Sequence, residues 1–504
     1  MQKFERFYFE GFEFDKNSLK AKFFYKFDNT ENFTEEIDFS SDFLSVRNDF
    51  DEKILNNFLF SLSLALGISY YKLYPTKELI LKSGFLSDED IVFWQKFYRN
   101  GLGEFLYKNE LSPNGLFNFV NASEKQYNKI DFNGSENILL PIGGGKDSVV
   151  SAELLLKNDF AFTPIVFGKI DIIKENCLNI MGKDVILIKR KLDENLFRLN
   201  EHGYYNGHVP ITGIISFALL TTAYLYDYKY IILSNEKSAN VGNAMIGDLK
   251  INHQYSKSLE FEQDLADYVD RNLTSKLTYF SLLRGMYEIK IAEIFSKIGK
   301  KYFGVFSSCN RNFKIKSGNN KYENKVQLCC HSELVSESLK GQNSFIDSGL
   351  NPEGQSLSQE GQSLNSQGQF LTGNSFWCNS CPKCAFVYAI LRPFITDLEV
   401  LQIFGKELYE DKTLENLFLE LLGIQGIKPF ECVGEKEEVI YAMNEVLNNL
   451  KKEEKQIPYI LSIFEKEVKI RFDELFFTDL ETKLFKLYNE ESLIPEKFRK
   501  LLNS

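Results

Sequence analysis

The sequence predicts an α/β protein: a doubly wound parallel sheet, preceded by a β-rich and helical N-terminal unit and followed by a helical C-terminal region. Three observations carry this. Short apolar runs, "NILLPI", "FTPIVFG", "DVILIKR" and "KYIILSN", alternate with helix-like stretches, the pattern of parallel strands joined by crossover helices. The first run ends in Gly143, Gly144 and Gly145 and then becomes a helical pattern, so the glycines fall beyond the C-terminal end of a strand, where ligands bind in such sheets. From Phe4 to Phe39 apolar and polar residues alternate with the period of two expected of half-buried antiparallel strands.

In chain order, "FYFEGFEFD", "LKAKFFYKFD" and "FTEEIDF" predict a small opening sheet, and helical spacing follows from about Asp51 to Lys108. Turn residues in "NGSENIL", around Gly134, mark a boundary between an N-terminal domain (1–133) and the α/β domain (134–395). Between about Lys314 and Leu371 the composition turns to Ser, Gln, Gly and Asn, with the near-repeat "GQSLSQEGQSLNSQGQ". It predicts a disordered or surface excursion, and Cys329, Cys330 and His331 within it are given no role. Amphipathic patterns such as "LENLFLELLG" predict helices over 396–504.

A chain of 504 residues is too long for one ordinary core, and a net charge of −11 argues against a broad nucleic-acid or anionic-membrane surface. A small anionic substrate in a locally basic pocket remains compatible with it. "MQKFERFYFEGF" lacks the continuous apolar core of a signal peptide, and "VPITGIISFALLTTAYLYDY" is broken by polar residues and reads as a buried helix. The expectation is a cytoplasmic protein. Eight cysteines without a secreted pattern make a C-x-x-C cluster metal-binding or catalytic in character.

The glycine segment fits neither common phosphate motif, because Ser148 stands where GxGxxG needs glycine and Asp147 where the Walker loop needs Ser or Thr. What remains is strand, Gly-Gly-Gly-Lys-Asp-Ser, helix. Backbone N–H groups of Gly143, Gly144 and Gly145, the helix start near Ser148 and the Lys146 charge converge on an anion. A carboxylate at Asp147 would repel phosphate unless Mg²⁺ bridged them, which implies a magnesium-nucleotide site. The stretch resembles the pyrophosphate loop of the PP-loop ATP pyrophosphatases (adenine nucleotide alpha hydrolase-like), with Gly143 in place of the usual first Ser. That resemblance implies cleavage of ATP between its α and β phosphates.

Further segments, "NGHVPITGIISF", "SNEKSAN", "NHQYSKSLEFE", "YFSLLRGMYEIKIAEIF", "SSCNRNF", "WCNSCPKCAFVY" and "PFECVGEKEE", occur in order. Together they resemble the UDP-N-acetyl-α-D-muramoyl-L-alanyl-L-glutamate epimerase family over about Phe4 to Glu438, the insertion apart. The resemblance implies inversion of the terminal L-glutamate of a UDP-muramoyl-dipeptide, a peptidoglycan precursor, with ATP and Mg²⁺ and release of AMP and pyrophosphate. The chemistry is coherent: deprotonation beside a free carboxylate puts a second negative charge next to the first, and adenylation removes that obstacle, so no pyridoxal cofactor is required.

Inversion needs groups that move the α-proton. His208, His253 and Cys432 are the candidates, against structural readings as hydrogen-bonding histidines or an inert buried thiol. Glu236 follows "KYIILSN" on the ligand side of the sheet and is assigned to binding nucleotide, metal or substrate. Tyr255, Lys257 and Glu260 share a motif and are assigned to phosphate, carboxylate or metal contact. Arg284 and Arg311 offer bidentate clamps for substrate anions, with salt bridges as their structural alternative. Cys378, Cys381 and Cys384 form C-x-x-C-x-x-C, and Cys309 completes a four-thiolate set read as structural Zn²⁺, with iron–sulfur or no metal as alternatives. Competing functions are nitrogen or sulfur transfer by a PP-loop enzyme of the tRNA-modifying or deazaguanine type, and a nucleotide-binding module without catalysis.

Overall fold

The computed structural model describes residues 2–28, 30–132, 134–313, 376–489 and 492–503, so the expectation for 314–371 lies outside the described residues. Strands β1 (Arg6–Asp15), β2 (Lys20–Phe27) and β3 (Glu31–Asp38) form where period-two alternation was read, and β6 (Ile138–Pro141), β7 (Thr163–Phe167), β8 (Ile186–Lys191) and β9 (Tyr230–Leu233) form at the four apolar runs. Strands β4 (Glu78–Leu81), β5 (Asn118–Asn121) and β12 (Thr278–Ser281) complete one ten-stranded mixed sheet in the order β12-β9-β6-β7-β8-β3-β2-β1-β4-β5; β10 (Ala244–Ile246) and β11 (Leu249–Ile251) form a separate hairpin.

The five strands β12, β9, β6, β7 and β8 run parallel. The chain passes from β6 outward to β8, then returns to β9 and β12 on the other side of β6. This reversal creates a crevice between β6 and β9 at the strands' C-terminal ends, the switch point where ligands bind in doubly wound sheets.

The strands expected to make a small opening sheet are joined to this block, because β3 pairs antiparallel with β8. Arg190 on β8 bonds Glu35 on β3 at 2.6 Å and Ser69 Oγ at 2.9 Å, with both charged side chains almost fully buried. Removing either partner would leave an uncompensated buried charge, so the pair fixes the register of the join.

Alternate residues of the parallel strands enter different cores. Leu139, Ile165 and Ile231 pack with helices Glu52–Tyr71 and Ile211–Leu225, whereas Leu140, Val166 and Ile232 pack with helices Lys146–Lys157, Glu288–Ile298, Pro382–Leu391 and Lys436–Lys452. The result is a three-layer arrangement with the sheet in the middle. Among the described residues one helix, Glu52–Tyr71, is long and apolar enough to cross a membrane, and 94% of its most apolar window is buried inside the protein. The segment after Thr396 is helical as expected, and its first helix, Asp397–Phe404, opens with a Thr396/Glu399 capping box.

Candidate active site

The glycine loop lies at the switch point between β6 and helix Lys146–Lys157, whose first residue is preceded by Gly145 with no side-chain cap. Its leading N–H groups are therefore available to a ligand. Gly144 has φ +82°, and a Cβ there would stand 2.8 Å from Ile173 Cγ2; a Cβ on Gly143 would meet nothing within 4 Å. The open space at Gly143 would admit a serine side chain. Gly144→Ala is expected to cost roughly 1–3 kcal/mol, the price of left-handed backbone in a non-glycine residue, while Gly143→Ser leaves stability unchanged; thermal denaturation of the two variants checks the contrast.

A buried ionic network lines the loop. Lys146, 1% exposed, donates to Asp147 Oδ1 at 2.5 Å and Glu288 Oε2 at 2.6 Å, and Lys383 reaches Glu288 Oε1 at 3.2 Å. Burial opposes ionisation of Glu288, but Lys146 and Lys383 outweigh it and hold the carboxyl down at about 2. Glu236, buried just after β9, is pushed up to about 7 by burial and then by the Glu288 charge. Three carboxylates and two ammonium groups thus share one buried crevice, an arrangement that suits a ligand bringing both phosphate and a divalent cation.

A second network adjoins it. Arg284 donates to the backbone oxygens of Glu236 (2.8 Å) and Lys257 (2.7 Å) and to Glu262 Oε2 (2.6 Å). This buried clamp spends the fork on the protein itself, the structural alternative weighed for Arg284. Lys257 Nζ then points to Cys432 Sγ at 3.3 Å, and Cys432 Sγ lies 3.7 Å from His253 Nε2. His253 Nδ1 is hydrogen-bonded to Glu104, which also meets His208 Nδ1 at 3.0 Å and Lys108 Nζ at 2.7 Å. The loop bearing Cys432 is held here by Asn243, which donates to Pro429 O at 2.8 Å, and by the Tyr107 and Phe430 rings, 5.4 Å apart.

Electrostatics make this row a charge-separated pair. Burial disfavours the Cys432 thiolate, but Lys257 and the His253 hydrogen bond overcome it and bring the thiol down to about 6. Burial likewise disfavours the His253 cation, yet Glu104 and Cys432 lift it to about 9. His208 goes the other way, to about 4, because burial outweighs its share of Glu104. At neutral pH the row reads Glu104 carboxylate, His253 imidazolium, Cys432 thiolate, with His208 neutral beside it.

Other sequence candidates fall elsewhere. Tyr255 and Glu260 line a cavity of about 560 Å³ together with Asn100, Asn240, Asn252 and Ser258, whereas Lys257, between them in the chain, faces Cys432. Glu260 is paired with Lys96 at 2.8 Å. Arg311 is exposed and donates to Ser380 Oγ at 2.8 Å, beside the cysteine cluster. The thiols of Cys309, Cys378, Cys381 and Cys384 converge, their sulfurs all within 4.8 Å of one another, with Cys381 and Cys384 at 3.5 Å and Cys378 and Cys384 at 3.6 Å. Zn–S bonds of about 2.3 Å in a tetrahedron put sulfurs about 3.8 Å apart, so the donor set fits a closed tetrahedral metal site.

Glu104, Glu288 and Lys383 were not singled out from sequence. Glu104 and Lys108 read as an ordinary exposed i, i+4 pair, and Lys383 is hidden between two cysteines; only the buried geometry reveals them.

The MurL N-terminal domain family matches residues 1–282, and the MurL C-terminal domain family matches residues 362–471. This chain belongs to the MurL family. It is 34% identical to a protein of Xanthomonas oryzae pv. oryzae over 76% of this chain and 72% of that one, and 29% identical to a protein of Salinispora tropica over 88% and 85%. A Micromonospora relative is 30% identical over 76% and 73%. Each of the three is named UDP-N-acetyl-alpha-D-muramoyl-L-alanyl-L-glutamate epimerase. The N-terminal MurL match spans the glycine loop, Glu104, His208, Glu236, His253 and Lys257; the C-terminal MurL match spans Cys378, Cys381, Lys383, Cys384 and Cys432.

Proposed function

We propose that this chain epimerises the terminal L-glutamate of UDP-N-acetylmuramoyl-L-alanyl-L-glutamate to D-glutamate, activating the α-carboxylate with ATP as an acyl-adenylate and releasing AMP and pyrophosphate. The observation that carries the reading is the adjacency of two networks at one switch point. The glycine loop with Lys146 and Asp147 suits a PP-loop phosphate site, and Lys257, tethered through Arg284 to Glu236, links that crevice to the Cys432–His253–Glu104 row. The names of the MurL relatives supply the substrate.

In this reading the phosphates of ATP take over the Lys146 ammonium, which in the ligand-free chain is neutralised by Asp147 and Glu288. Asp147 is then free to hold Mg²⁺, which supplies charge neutralisation at the phosphates. Glu236, pushed up to about 7 and so only partly ionised at neutral pH, repels an approaching anion less than a full carboxylate would. Activation lowers the barrier to removing the α-proton, and His253, with Cys432 beside it, moves that proton. Pyrophosphate release tests the assignment: it is expected with UDP-MurNAc-L-Ala-L-Glu, and not with tRNA or without acceptor. Release driven by tRNA instead would support nitrogen or sulfur transfer.

The cysteine cluster is assigned a structural Zn²⁺, held by Cys309, Cys378, Cys381 and Cys384 and joining the two sides of the 314–375 segment. Elemental analysis is expected to find about one zinc per chain. Cys384→Ser should lose it and lower the unfolding midpoint by on the order of 10 °C, several kcal/mol at about 2–4 °C each. Purified protein with neither zinc nor iron would contradict this.

A further inference from the structure

We propose that Cys432 is a nucleophile, whose thiolate takes the activated glutamyl group from AMP and carries it as a thioester while the α-carbon is inverted. This rests on the ATP-activated reaction above and adds a covalent step to it.

The geometry is that of a nucleophile, a base and an orienting acid in one row: Cys432 Sγ, His253 Nε2 at 3.7 Å, and Glu104 on His253 Nδ1. His253 and Glu104 are buried, while Cys432 is only partly so and can meet a substrate. Titratable groups facing the thiol are Lys257, His253 and Lys383; those facing His253 are Glu104, Cys432 and the neutral His208.

Magnitudes favour nucleophile over base. A thiol near 6 rather than 9 is weaker by about 10³ as a base in a proton equilibrium. Its nucleophilicity falls by only roughly 15- to 30-fold, because nucleophilicity follows thiol basicity with a slope of about 0.4–0.5. The site thus sacrifices most of what an α-proton acceptor needs and keeps most of what an acyl acceptor needs.

The atoms balance without an oxidant or reductant. The C–S bond forms as the acyl–oxygen bond to AMP breaks, and AMP leaves with the electron pair. The thioester keeps the α-proton acidic. Covering the thiolate also removes both the hydrogen-bonding anion and its charge from His253, two of the influences that hold the imidazolium proton, so that proton passes to the departing AMP phosphate and the ring, now neutral, takes the α-proton in its place. After a proton from solvent is delivered to the opposite face, with the α-proton left on His253 as the restored imidazolium, water attacks the thioester carbonyl and the C–S bond breaks. The carboxylate and the thiolate are regenerated, and the two protons of the water pass to solvent. Lys257, 3.3 Å from the sulfur, stays beside the reacting carbonyl as a cation for its developing oxyanion.

The test is acid quenching of the full-length, metal-replete protein during the first turnover with UDP-MurNAc-L-Ala-L-Glu, ATP and Mg²⁺ in D₂O, followed by peptide mass spectrometry. The peptide containing Cys432 is expected to gain the mass of the substrate less one water (allowing for deuterium), only with ATP, and to lose it on hydroxylamine treatment. Cys432→Ala is expected to release one equivalent of pyrophosphate yet incorporate no α-deuterium. Deuterium incorporation by the wild type with no adduct at any quench time overturns the thioester and leaves the ATP-dependent reading intact. Absence of both pyrophosphate release and exchange in the wild type overturns both.

Discussion

Asp147→Asn is expected to slow ATP-dependent pyrophosphate release by on the order of 10³-fold, the scale on which single charge-stabilising groups act in phosphoryl transfer, without unfolding the chain. The amide keeps the size of the side chain and removes the charge proposed to hold Mg²⁺. Lys146 does not become an unpaired buried cation, because it retains Glu288 at 2.6 Å, and Lys383 supports Glu288 from the other side. Asp147 is itself partly exposed, so its replacement opens no cavity. Pyrophosphate release measured beside the unfolding midpoint separates the two effects. A wild-type rate in the folded variant would remove Asp147 from the nucleotide site.

Glu104→Gln is expected to reduce α-proton exchange by roughly 10²- to 10⁴-fold, the range of lost general acid–base assistance, while a single turnover of pyrophosphate release persists. Glu104 acts through His253 and is a positioning residue. Its signature is the pH profile. Wild-type exchange should be bell-shaped, falling below about 6 as Cys432 takes up a proton and above about 9 as His253 loses one, with both limbs belonging to the coupled pair. Removing the Glu104 charge takes away the chief stabiliser of the His253 cation, so the alkaline limb moves to lower pH. The thiolate in turn loses its imidazolium, so the acid limb moves up and the bell narrows. A variant with reduced exchange but an unmoved profile would make Glu104 merely structural.

Much of this architecture is legible in the sequence because the signals are local. Ile231 and Ile232 lie in continuous apolar runs since both faces of β9 are covered, and Gly144 sits at a strand end where only left-handed backbone closes the turn. Strands β4 and β5 are four residues each, and β4 pairs with β1 and β5 with β4 across long stretches of chain, so nothing in "ELIL" or "NFVN" distinguishes them from helix-flanking residues. The site is split the same way. "NHQYSKS" and "PFECVGE" each advertise a reactive side chain, but Lys257 and Cys432 meet across 175 positions, and their meeting is what sets the charge of the thiol. Glu104 lies in no recognisable motif, and Glu288, within "YFSLLRGMYEIKIAEIF", is not distinguished there from its neighbours; their significance comes from being buried among cations and imidazoles. Arg284 shows the converse, an arginine legible as an anion clamp whose donors are consumed by Glu236, Lys257 and Glu262 in holding the two halves of the site together.

The glutamyl α-proton is expected to exchange only after ATP has activated the neighbouring carboxylate. The most direct measurement is incubation of UDP-MurNAc-L-Ala-L-Glu with the protein, ATP and Mg²⁺ in D₂O, followed by hydrolysis and chiral analysis of the glutamate with its isotope content. The expected result is D-glutamate carrying deuterium at the α-carbon, with neither inversion nor exchange when ATP is omitted. Exchange at the full rate without ATP, or D-glutamate that retains its α-protium, would contradict it.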